Sequence, residues 1–135
     1  MSSILRGEKG TSTLEFIVVF PFLLLIFLAG VELSRAWLTA TVAANAVREG
    51  ARIGAVTPAA DVVAIATARI NDVLSAANLT AVAGPTVTCN PAPCDPLSDS
   101  RVQATVTVQF QTVVPLFIPL LASLNINQSA TMRYE

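Results

Sequence analysis

Few side chains in this sequence could do chemistry, and their types and spacing point away from catalysis. Histidine is absent, which removes the commonest general base, proton shuttle and metal ligand together. No GxSxG, HExxH or paired-carboxylate spacing occurs. Asp61, Asp72, Asp95 and Asp99 are scattered over stretches that read as helix starts and turns. The chain reads as no enzyme, with no cofactor. Cys89 and Cys94 bracket Asn90-Pro91-Ala92-Pro93, and in an exported domain that arrangement points to a local disulfide across a proline-rich turn. Two thiols without histidine cannot supply the four soft ligands of a zinc site, so no metal is expected. Nor is the spacing that of a CxxC exchange pair.

Composition indicates where these residues must be held. Of 135 residues 53% are apolar and 13% charged, against about 25% charged in an ordinary soluble domain. A net charge of −1 with this hydrophobicity excludes disorder and leaves no basic excess for nucleic acid. The apolar excess is concentrated. Residues 16–31 form sixteen residues without a charge, bounded by Glu15 and Glu32 and preceded by a leader containing Arg6 and Lys9. Basic, then apolar, then polar is the order of a secretory signal or signal anchor. A bilayer span needs about 20 residues, so the helix must extend past one of the two glutamates. A cleavable signal peptide is an alternative reading of the run. A buried helix of a soluble protein is a third, although the large apolar residues at 22–28 would make it hydrophobic all round.

Glu15 is then out of place unless it has a task. A carboxylate near the bilayer interior costs a few kcal/mol on insertion scales, and at a helix start the macrodipole recovers some of it. It acts either as a recognition group for a neighbour's amine or as a flanking charge marking the membrane edge. Pro21 removes the hydrogen bond to the carbonyl of Ile17 and should kink or loosen the helix.

The helical pattern continues beyond the apolar run. Ala36, Ala40, Ala43, Val47, Gly50 and Gly54 recur at spacings of four, three, four, three and four. Such a seam of small residues lets another helix approach closely; it is the candidate helix-packing interface with a neighbouring subunit, or else an alanine-rich stripe with no partner. Glu32 with Arg35, and Glu49 with Arg52, form i,i+3 pairs suited to an exposed face. With no proline between Pro21 and Pro58, one helix over 11–56 would run about 70 Å at 1.5 Å per residue, with its membrane span at about 14–36.

Residues 57–135 then form a small extracytoplasmic domain. Residues 61–79 read as an amphipathic helix starting at Asp61 as N-cap, with Val62, Ala66, Ile70, Val73, Leu74 and Ala77 inward. Residues 101–111 alternate without a fault, Val102 to Phe110 on one face and Gln103 to Gln111 on the other, as in a half-buried strand. Residues 86–89 and 125–134 read as further strands, the second with Ile126, Ala130, Met132 and Tyr134 inward. Residues 113–124 are a second apolar run, broken by Pro115 and Pro119. The run is too short to span a bilayer, and is read as a buried connection or as a patch covered by a partner. The expected fold class is α+β: a long N-terminal transmembrane helix extended outside the membrane, a second amphipathic helix and a small antiparallel sheet of about three strands.

The junction Gly7-Glu8-Lys9-Gly10-Thr11-Ser12-Thr13-Leu14-Glu15-Phe16 resembles the class III signal of type IV pilins and pseudopilins. A glycine ends a charged leader, and a glutamate stands five positions later. The resemblance implies cleavage by a prepilin peptidase between Gly10 and Thr11, making residues 1–10 the leader and Glu15 the fifth residue of the mature chain. Thr11 departs from the phenylalanine common at the first mature position. An EF pair in an apolar run, followed by RAWLTATVAANAVREGARIGA, is similar to the TadE-like pseudopilins of tight-adherence (Tad/Flp) pilus systems over about residues 8–56. That likeness implies a minor pilin acting in pilus assembly and adhesion. Its partners would be the prepilin peptidase, other Tad pseudopilins or pilins, the inner-membrane assembly platform and membrane lipid. It would be single-pass in the inner membrane with the C-terminal domain outside. The alternative is a signal-anchored or secreted binding module unrelated to pili.

Overall fold

The computed structural model describes residues 8–113 and 123–135, with the side chains of the first helix described from Thr13 onward. The chain is α+β. A 48-residue helix α1 (Glu8–Ala55) is followed by α2 (Val62–Ala76), β1 (Ala81–Asn90), a short 3-10 turn at Pro96–Ser98, β2 (Arg101–Gln111) and β3 (Ser123–Arg133). At 1.5 Å per residue α1 is about 72 Å long. It runs unbroken through Pro21 and ends where its sequence changes. Val56 and Thr57 donate backwards to Ile53 and Gly54 at 3.2 and 3.4 Å, and the Thr57 hydroxyl donates to the Ile53 carbonyl at 2.7 Å. These bonds satisfy carbonyls that a helix end leaves free, and Pro58 cannot continue the helix.

α2 begins at Val62, and the Asp61 carbonyl accepts from the Ile65 N–H at 2.9 Å. The expected side-chain cap is not made. Asp61 has helical φ/ψ of −109° and −4° and gives no capping bond, whereas an N-cap side chain normally reaches the first-turn amides from an extended backbone. The other end explains why α2 is shorter than its apolar pattern. Asn78 takes a left-handed φ of 54°, its N–H meets Ser75 O at 3.0 Å, and the Leu79 N–H reaches back to Leu74 O at 2.9 Å. That is a Schellman stop with asparagine in the left-handed position. The pattern predicts Ala77 inward, but the stop leaves it exposed, and only Val62, Ala66, Ile70 and Leu74 are buried.

The three strands form one antiparallel sheet in the order β1-β2-β3. β2 is central, and Val102, Ala104, Val106, Val108 and Phe110 are all buried, as the alternation predicts. β1 is longer than the predicted strand 86–89 because it continues across Gly84-Pro85. Its register against β2 shifts between Ala81 and Thr86, the local disruption of a bulge. On β3, Met132, Ala130 and Ile126 lie opposite Val102, Ala104 and Val108, hence on the inner face. As an edge strand it is only half covered, and Met132 is exposed. Tyr134, just past β3, is buried and donates its hydroxyl to the Thr57 carbonyl at 2.9 Å. The Glu135 N–H donates to Ala55 O at 2.9 Å, so the end of the sheet is tied to the end of α1.

The core is a layer between this inner face, α2 and the C-terminal half of α1. Ala43, Val47, Ala66, Ile70, Val102 and Val106 belong to one buried cluster. The second apolar run is described only at Val113, Ser123 and Leu124; the rest of it lies outside the described residues.

Candidate functional site

α1 divides into two stretches with different neighbours. From Thr13 to Phe27 every side chain is exposed, including Phe16, Phe20, Phe22 and Phe27. This stretch forms most of the candidate membrane span; α1 is the one helix among the described residues long and apolar enough to cross a bilayer. Phe16 and Phe20, one turn apart, stack at a centroid distance of 5.4 Å. Gly10 and Thr11 stand in the first turn of α1. Glu15, at the head of the apolar surface, is exposed and has no hydrogen-bond or ion-pair partner among the described residues.

Ala43, Val47, Gly50 and Gly54 are buried, and this chain's own elements cover them. A Cβ added at Gly50 would overlap the Ile70 side chain and lie 3.2 Å from the Ala66 carbonyl. One at Gly54 would stand 3.1 Å from Val102 Cγ1 and 3.3 Å from Ala66 Cβ. The close approach permitted by small residues is therefore used intramolecularly, by α2 and β2. This changes the reading of the seam as an interface with a neighbouring subunit, because Ala43 and Val47 are sealed inside the fold and unavailable to one. Ala36 and Ala40 are half-buried.

At the junction of the two stretches stands a polar cluster. The i,i+3 reading placed Glu32 on an exposed face; instead its side chain is only 5% exposed. Arg35 Nη1 donates to both Glu32 oxygens at 3.2 and 3.0 Å, and the Val113 N–H donates to Oε1 at 3.0 Å. The Arg35 guanidinium also lies 5.4 Å over the Phe110 ring, within cation–π range. The end of β2 and α1 thus meet at one carboxylate and its arginine. Beside it a cleft of about 290 Å³ opens between Arg35, Thr39, Asn78, Thr80, Gln109 and Gln111. Its lining contains amides, hydroxyls and one guanidinium but neither a carboxylate nor a thiol; it could hold a polar group by hydrogen bonds, without an acid–base pair to act on one.

Glu49 and Arg52 pair at 3.2 Å on the outer side of α1, and Arg69 of α2 reaches the same carboxylate at 3.5 Å. The hydrogen bond from Arg52, aided by the charges of Arg52 and Arg69, holds the Glu49 carboxyl below the usual glutamate range.

Cys89 and Cys94 form a disulfide, with their Cα atoms 5.3 Å apart. Sequence reasoning passed over the residue that organises this loop. Ser100 is fully buried, and its hydroxyl lies within bonding distance of Pro91 O, Pro93 O and the Ser98 hydroxyl while accepting from the Asp95 N–H. A serine before a strand carries no distinguishing signal; its role exists only once the proline turn closes over it. Among the described residues no group of three or more acidic or sulfur side chains is placed to hold a metal ion.

The geometry coincides with a family match. The model described as TadE-like protein matches residues 10–52, from the glycine of the leader junction past Gly50 of the seam. Over those residues, about a third of the chain, α1 is similar to the TadE-like family. No curated protein and no solved structure matches the chain.

Proposed function

We propose that the protein is a pseudopilin, or minor pilin, of a Tad-type pilus. It is cut by prepilin peptidase between Gly10 and Thr11, anchored in the cytoplasmic membrane by the N-terminal stretch of α1, and works in pilus assembly and adhesion with its C-terminal domain outside. One observation supports this above the others. The exposed apolar stretch carries an unpartnered carboxylate at its head, five residues after the glycine at which the family match begins. A helix surface this apolar must be covered by lipid or by other helices. A carboxylate at its start needs a cation within that same layer. The new α-amino group of a processed neighbour is such a cation, and joining the two fixes the axial stagger between subunits.

N-terminal sequencing of membrane-purified protein tests the processing step: the mature chain should begin at Thr11, and Gly10→Val should accumulate as precursor. A mature chain beginning after the apolar run would mean an ordinary signal peptidase and a released binding module. Glu15→Ala should be cut and inserted yet absent from sheared pili. Wild-type incorporation of that variant would reduce Glu15 to a flanking charge.

A further inference from the structure

We propose that the domain makes a second contact with the bilayer, through the end of the sheet where β2 stops and β3 starts, so that Val113 and Leu124 rest in the lipid interface beside α1. This rests on the reading of α1 as the membrane span. Counting about twenty residues from Leu14 for the hydrocarbon core ends the span at Leu33, which places Glu32 just inside it. Yet Glu32 is where the sheet is fastened: the Val113 N–H donates to its carboxylate at 3.0 Å. Leu28 and Ala29, a turn deeper, are already half-buried. The fold therefore reaches down α1 to the depth where the span ends.

The surface brought there suits lipid. Val113 is 70% and Leu124 43% exposed, and Leu124 lies opposite Phe110 in the register. Leu33 and Trp37, on the flank of α1 at the same level, are also exposed, and tryptophan is enriched at membrane interfaces. Charge is segregated along the sheet. Residues 102–132 contain no charged side chain, while Asp99, Arg101 and Arg133 gather at the opposite end. Glu32, the carboxylate that would forbid this depth, is enclosed and satisfied by Arg35 and the Val113 amide, as polar groups at membrane depth must be. The Arg35 side chain is 42% exposed, as for a long cationic side chain lying at the edge of an apolar surface.

The test places a polarity-sensitive fluorophore on single introduced cysteines of the full chain, in phosphatidylcholine–phosphatidylglycerol vesicles with brominated acyl chains. The native cysteines are paired and do not compete for label. Three sites are compared: Val113→Cys, Leu25→Cys within the span, and Leu97→Cys at the far end of the domain, where the side chain is almost fully exposed. The probe at 113 should be blue-shifted and quenched several-fold more than that at 97, best by bromines near the headgroups, while that at 25 responds best to deep bromines. Quenching at 25 with none at 113 would overturn the proposal and leave the span standing. A blue shift at 113 without bromine quenching would also overturn it, as a second protein copy would then cover the surface. Absence of quenching at 25 would remove the span and the proposal together.

Discussion

Residues 13–27 and 43–55 belong to one continuous helix, and they differ in both composition and neighbours. The first stretch is built mostly from large residues and buries none of them; the second buries a face made of alanine, glycine and valine. Side-chain size follows the distance of the neighbour. Where this chain's own α2 and β2 press against α1, only a small residue fits, as Gly50 under Ile70 and Gly54 under Val102 show. Where the neighbour is lipid or another chain, large side chains supply the apolar area. The surface that holds the domain together and the surface left open to lipid or another chain are therefore separate parts of one helix, and mutations should affect them separately.

The largest expected effect tests that separation directly. Ile70→Ala removes a fully buried side chain from above Gly50 and should destabilise the domain by about 2–5 kcal/mol. Leu25→Ala deletes a similar volume from an exposed position and should leave the domain's unfolding midpoint unchanged while weakening retention in the membrane fraction. Calorimetry in detergent, with fractionation, reads both. Equal losses of domain stability would show that the two stretches are not energetically separate.

Next, Gly50→Val drives an isopropyl group, whose Cβ alone already overlaps it, into the Ile70 side chain and should cost about 1–3 kcal/mol. Since about 1 kcal/mol shifts the midpoint of a domain this size by about 4–8 °C, the loss is readily measured. Combined with Ile70→Ala the cost should shrink, because the new side chain occupies the vacated space. Strict additivity of the two changes would mean that the seam and α2 are not in register at this point.

These two variants mark how far the sequence could be read. The length of α1, the phase of α2 and the buried face of β2 were all legible, because each is reported by a local period: Ala66-Ile70-Leu74 at four, Val102 to Phe110 at two. The seam was legible as a place of close approach. Its occupant was not, since small residues record how near a neighbour comes and not whether it belongs to the same chain. Glu32 was misplaced for a related reason. Its local partner Arg35 is visible at i,i+3, but the group that encloses it comes from Val113, 81 residues away. β1 was shortened at Gly84-Pro85 because a glycine–proline pair marks a break unless a neighbouring strand absorbs it as a bulge. For Glu15, Gly10 and Thr11 the sequence pattern and the family match still supply most of the argument.

The disulfide sharpens the contrast at the other end of the domain. It closes a short loop already held by Ser100, so reducing it should cost only about 2 kcal/mol in the chain-entropy model, and Cys89→Ser/Cys94→Ser should fold with a lowered midpoint. Non-reducing mass analysis of freshly isolated protein should find the pair two hydrogens lighter than the dithiol. Free thiols there would place the domain in a reducing compartment and count against an extracytoplasmic position.

The smallest effect is electrostatic and lies on the outer side of the buried stretch. Glu49 joins α1 to α2 through Arg69 while pairing locally with Arg52. Its carboxyl is held below the usual range chiefly by the hydrogen bond from Arg52. A carboxyl with a lower pKa folded than unfolded contributes stability that is fully present above its unfolded value and is lost as pH falls through the folded one. The pairs are at the surface, where such contributions are small and screened by salt. The stability difference between wild type and Glu49→Gln should therefore be slight at neutral pH, vanish on acidification below the usual glutamate range, and shrink in high salt. Comparison with Glu49→Gln cancels the other carboxylates, which titrate alike in both proteins. A difference that grew as pH fell would carry the opposite sign to this linkage. It would mean that the protonated carboxyl, not the ion pair, is what the junction of α1 and α2 uses.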